Sequence, residues 1–61
     1  MKEKFLENLH QARVAHGRAL ARLMHARRRG DAWCEEINHD MLKFTASEIA
    51  YWAGLIREFC R

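Results

Sequence analysis

Sixty-one residues with a formal net charge of +3, 49% hydrophobic and 31% charged, make one small domain at most. A chain this short buries only about 60% of its unfolded surface, so it needs disulfides, a metal or a second copy to be comfortably stable. No apolar run approaches the ~20 residues of a membrane span. The opening MKEKFLENLHQARVAHG mixes charge with apolar residues and has no secretory h-region, so the expected location is cytoplasmic.

The charge is divided along the chain. Residues 1–30 carry eight Lys or Arg against two Glu, a net +6, and residues 31–61 carry three against six, a net −3. A basic half followed by an acidic half suits antiparallel pairing, within one chain or between two.

The first element is expected to be a helix from about residue 2 to 29. Ala, Leu, Arg and Met dominate it, and proline is absent. Phe5, Leu9, Ala12, His16, Ala19 and Leu23 repeat with 4-3 spacing, and Leu6, Leu20 and Met24 widen that face. Gly17 falls on the polar arc and weakens the helix by about 1 kcal/mol relative to Ala without ending it.

Gly30-Asp31 is the strong stop. Arg27, Arg28 and Arg29 suit a helix C-terminus, Gly30 suits the left-handed residue beyond it, and Asp31 can cap the helix that follows. The second helix then runs from about 32 to 60. Its core, MLKFTASEIAYWAGLIREFC from Met41 to Cys60, has an apolar arc of roughly 220°, wider than one neighbouring helix requires. Trp33, Ile37, Phe44, Tyr51 and Leu55 lie on one flank of that arc. A rival signal is the capping-box pattern Thr45-Ala-Ser-Glu48, which would start a third helix after a break near Phe44. The apolar phase continues through it, so the unbroken helix is preferred.

Two helices of matched length joined by a two-residue turn read as an antiparallel hairpin. With the turn at 30/31, residues at one level sum to about 61. Leu6 is then level with Leu55, Leu20 with Met41, and His16 with Thr45, where a hydrogen bond would satisfy a core histidine. Arg13 and Glu48 interrupt otherwise apolar arcs at one level and are expected to form a structural ion pair that fixes the register. The surplus apolar arc of the second helix leads to the fold expected: all-α, a two-helix hairpin that homodimerises into a four-helix bundle. Trp52, Ile49, Ile56 and Phe59 are the expected dimer core.

Little in the sequence supports chemistry. His10, His16, His25 and His39 lack the i, i+3 or i, i+4 spacing of helix-borne metal ligands, and no cysteine stands that close to one of them. Cys34 and Cys60 on one helix would be roughly 39 Å apart, far outside disulfide reach, and read as reduced thiols. No nucleophile elbow, phosphate-binding glycine loop or paired catalytic carboxylates occur. A two-helix unit offers no natural pocket. No enzyme activity, metal, cofactor or small-molecule substrate is expected.

Two surfaces stand out instead. Trp33 and Tyr51 share one helical angle at the edge of the apolar arc, the character of an interface anchor, equally suited to self-association and to another protein; with Arg18 and Arg22 they are the expected partner-binding residues. Arg18, Arg22 and Arg29, with Lys4 and His25, line the outer face of the first helix. Such a row is a solvated face, a phosphate-tracking stripe or a docking surface for an acidic partner.

The stretches AHGRALARLMHARRRGD and TASEIAYWAGLIREF resemble in style the very small phage-encoded inhibitor proteins, the quorum-sensing anti-activators of Pseudomonas phages among them. That resemblance implies a homodimer that binds a bacterial host protein, a transcriptional regulator in particular, and carries over no functional residue. In length, central turn and basic first helix the chain is also similar to Rop-type plasmid RNA-binding hairpins. This implies the alternative reading, a homodimer that holds RNA or DNA on the basic face of helix one.

Overall fold

The computed structural model describes residues 2–59, which form two helices, α1 (Lys2–Arg29) and α2 (Ala32–Phe59), folded back on each other as an antiparallel hairpin. The hairpin measures 45 × 14 × 11 Å between Cα extremes, close to the ~42 Å that 28 helical residues span. Cys60, expected to end the second helix, lies outside the described residues, as do Met1 and Arg61.

The turn follows from its residues. Gly30 takes φ 71°, a left-handed conformation that costs glycine nothing. Its N–H donates to the Arg27 carbonyl at 3.1 Å, and the Asp31 N–H donates to the Ala26 carbonyl at 2.9 Å. These two bonds are the Schellman closure of a helix end and satisfy carbonyls that α1 would otherwise leave open. Asp31 then opens α2: its Oδ1 accepts from the Cys34 N–H at 3.1 Å, an N-cap contact to the third helical residue.

The seam uses the 4-3 repeat of α1. Leu9, Ala12, Ala19, Leu23 and Ala26 are buried, with Phe5 and His16 half-buried in the same row. Alanine at every second level permits close approach of the two backbones. Across it, α2 contributes Asn38, Leu42, Thr45, Ile49, Trp52 and Ile56, of which only Thr45 is fully buried. Two helices alone leave both flanks open, so bulky side chains on α2 straddle the seam without being enclosed. At the open end of the hairpin, the rings of Phe5 and Trp52 lie 6.0 Å apart at 39°.

One polar contact sits mid-seam. His16 Nδ1 lies 2.7 Å from Thr45 Oγ1, and that hydroxyl lies 2.9 Å from the Met41 carbonyl and 3.2 Å from the Leu42 carbonyl. The hydroxyl has a single proton, shared among these partners according to the imidazole tautomer, and its contacts to the carbonyls of residues 41 and 42 lie within its own helix. Thr45 therefore bonds backwards along an unbroken helix. The break near Phe44 does not occur.

The expected Arg13–Glu48 ion pair does not form among the described residues, whereas Arg27–Glu35 and Arg29–Asp31 do pair. The two residues share a level but not a side. Continuing the 4-3 frame of the seam, Arg13 belongs with Leu6, Leu20 and Arg27 on one flank of the hairpin. Arg27 reaches Glu35 at 3.0 Å and His39 at 3.2 Å on that same flank. Glu48 belongs with Met41 and Leu55 on the opposite flank. For the same reason Leu20 and Met41, level in sequence, are both exposed on opposite sides.

Two substitutions of one chemistry are expected to have opposite signs. A methyl at Gly17 meets nothing within 4 Å, so Gly17→Ala should raise stability by about 0.5–1 kcal/mol. Gly30→Ala should lower it by about 1–2 kcal/mol, because the new Cβ must accept a positive φ. Thr45→Val keeps the shape but strands His16, with an expected loss of about 1–3 kcal/mol. Chemical denaturation followed by circular dichroism measures all three.

Candidate interaction surface

The hairpin leaves its largest apolar side chains outside. Trp33 is 72% exposed, Phe59 67%, Tyr51 61% and Phe44 59%, with Ile37 and Met41 also open to solvent. At 100° per residue these six fall within about 80° of one another, so they form a continuous strip along α2. The half-buried Leu55 joins it, and Glu48 is the single charge inside it. The strip exists because the apolar arc of α2 is wider than the seam, and α1 covers only one side of that arc. Tyr51 meets the ring of Trp52 edge-on, at 5.0 Å and 77°.

The four residues expected to build a dimer core divide. Ile49, Trp52 and Ile56 are half-buried in the hairpin's own seam, whereas Phe59 is exposed. Trp33 and Tyr51 do share a side, together with Ile37, Met41 and Phe44. The signal for those three was the same angular relation that links Trp33 to Tyr51, extended to every residue at that angle.

Arg18 and Arg22 are exposed on α1, with Lys4 and Arg29. In the seam's frame this row turns toward the same broad side of the hairpin as the strip. Leu6, Leu20 and Met24 turn the other way and alternate there with Arg13 and Arg27. Arg29 is partly engaged, 3.7 Å from Asp31. Arg18 and Arg22 are both exposed, and among the described residues neither forms an ion pair with an acidic side chain. One broad side thus pairs an aromatic strip with a basic row.

The turn end carries the local electrostatics. Hydrogen bonding from the Cys34 backbone N–H, then from the Cys34 side chain, holds the Asp31 carboxyl below the usual carboxylate range, aided by Arg29. The same contact pushes the Cys34 thiol up, and partial desolvation adds to it. A raised thiol holds little thiolate at neutral pH, so Cys34 is poorly nucleophilic. Among the described residues no three His, Cys, Asp or Glu side chains cluster to hold a metal ion, and no helix is long and apolar enough to cross a membrane.

No protein-family model matches the chain, and no curated protein or solved structure matches it either.

Asp31 supplies the pH test of the turn. Its folded-state carboxyl titrates lower than in the unfolded chain, so its contribution is complete above the unfolded value and is lost as pH falls through the folded one. Asp31→Asn should therefore melt below the parent at pH 7, and the gap between the two melting temperatures should narrow as pH falls below the ordinary carboxylate range. A gap that stays constant down to strongly acidic pH would show that the carboxylate charge does not matter.

Proposed function

We propose that this protein works by contact and not by catalysis: two copies associate into a four-helix assembly in the cytoplasm, and the dimer binds and inhibits a bacterial host protein. The observation that carries the reading is the strip from Trp33 to Phe59. Six large apolar side chains stay in water along one helix of a very small protein, a surface of the kind that marks an interaction site. Trp33 and Tyr51 lie in that strip and go with self-association. The basic row of Arg18 and Arg22 is left to meet an acidic face of the target. A transcriptional regulator is the target class that the resemblance to phage anti-activators implies.

The same basic row supports a second reading, binding of RNA or DNA in the manner of Rop-type hairpins. The supporting observation is that α1 concentrates a net +6 in 28 residues, with Arg18 and Arg22 facing solvent. Against it stands the lack of an Asn, Gln or Arg cluster at a helix N-terminus for reading bases.

Concentration and salt separate the readings. A protein stabilised by self-association should melt at a temperature that rises with its own concentration. If the function is protein binding, any affinity for nucleic acid should be weak at near-physiological salt. Nucleic-acid binding through several arginines would show log affinity falling linearly with log salt, with a slope of about −0.9 per phosphate contacted on B-DNA. Tight retention of RNA or DNA at near-physiological salt, abolished by Arg18→Ala with Arg22→Ala, would replace the inhibitor reading with the second one.

A further inference from the structure

We propose that the strip on α2 is covered by the same strip of a second copy, the two α2 helices running antiparallel across a two-fold axis level with Ala46. This rests on the self-association half of the proposed function and specifies which surfaces meet and in which direction.

The spacing of the strip carries the argument. Its positions are 33, 37, 41, 44, 48, 51, 55 and 59, and the steps between them read 4-4-3-4-3-4-4. The series is the same from either end. Such a series suits a two-fold contact between antiparallel helices, because each strip residue then finds a strip residue at its own level on the other copy. About Ala46, Trp33 comes level with Phe59 of the second copy, Ile37 with Leu55, Met41 with Tyr51, and Phe44 with Glu48. Three of these four levels are wholly apolar. At the fourth, Glu48, the strip's one charge, comes level with Phe44 of the second copy.

Area and charge agree. Trp33, Phe44, Tyr51 and Phe59 expose well over half of themselves, and aromatic side chains present ~150–250 Å² each. Those four alone offer roughly 500 Å² per copy. Ile37 and Met41 bring the total toward the ~800 Å² per partner of a standard stable interface. No other face does so. On α1 the exposed Leu6, Leu20 and Met24 alternate with Arg13 and Arg27, so charge interrupts that face at every second level, whereas the α2 strip holds Glu48 alone. α2 is the surface that can meet itself.

Spin labels on single cysteines test the geometry, in chains carrying Cys34→Ala and Cys60→Ser. Ser47 and Glu36 are both exposed and border the strip without belonging to it. In the proposed pair, labels at 47 are offset along the helix axis by only about 3 Å, whereas labels at 36 are offset by about 30 Å. Pulsed dipolar spectroscopy should therefore give a short distance for Ser47→Cys and a long one for Glu36→Cys. Equal short distances at both sites would mean that the copies run parallel, which overturns this pairing and leaves self-association standing. A monomer at high micromolar concentration, with no inter-label distance, would overturn both. Phe44→Asp gives a second readout. Phe44 lies outside the seam, so this variant should stay helical by circular dichroism while sedimenting as a monomer, and a dimer that survived it would also sink the pairing.

Discussion

The controlling constraint is the narrowness of the seam. α1 presents alanine at positions 12, 19 and 26, spaced by Leu9, His16 and Leu23, a thin row of which a single neighbour buries all but His16. α2 has much more apolar surface than that row can hide. Burial on α1 is therefore complete at five positions, while on α2 it is complete only at Thr45. At ~25 cal/mol per Å² of apolar surface removed from water, an uncovered row of aromatic rings is a substantial driving force left unspent. The exposed strip, the case for a second copy and the separation of apolar from basic surface all descend from that mismatch.

Within the seam, apolar contact does not choose a register unaided. The alanines of α1 give the facing row of α2 little to distinguish one level from the next, since one small side chain resembles another. The His16–Thr45 bond supplies the missing discrimination, because a slip of one turn would strand an imidazole nitrogen beside apolar groups and break a 2.7 Å contact. At the turn the Schellman closure at Gly30 and the Asp31 cap set where each helix ends. Register is thus specified twice, at the middle and at one end, by short hydrogen bonds and not by surface ion pairs. The Arg27–Glu35 pair is exposed and worth little on its own.

Sidedness then decides what the surface can do. The two helices twist their leftover apolar residues toward opposite flanks: Leu6, Leu20 and Met24 one way, the α2 strip the other. Only the α2 flank is nearly free of charge, and the neighbouring edge of α1 is basic. The broad side built in this way sets an exposed aromatic strip beside a row of exposed arginines.

Much of this was legible in the residues. Periodicity gave two long helices, Gly30-Asp31 gave the turn, and the level rule brought His16 to Thr45, because each is a local signal or simple arithmetic along two rigid rods. The sequence also showed more apolar surface on the second helix than one partner could hide. It could not tell flank from flank: Arg13 and Glu48 stand at one level, and only the rotation of each helix about its own axis, set by which residues pack into the seam, puts them on opposite sides. The same rotation drew Ile49, Trp52 and Ile56 into the hairpin and left Trp33, Ile37, Met41 and Phe44 outside. Level is a property of the chain, whereas facing is a property of packing.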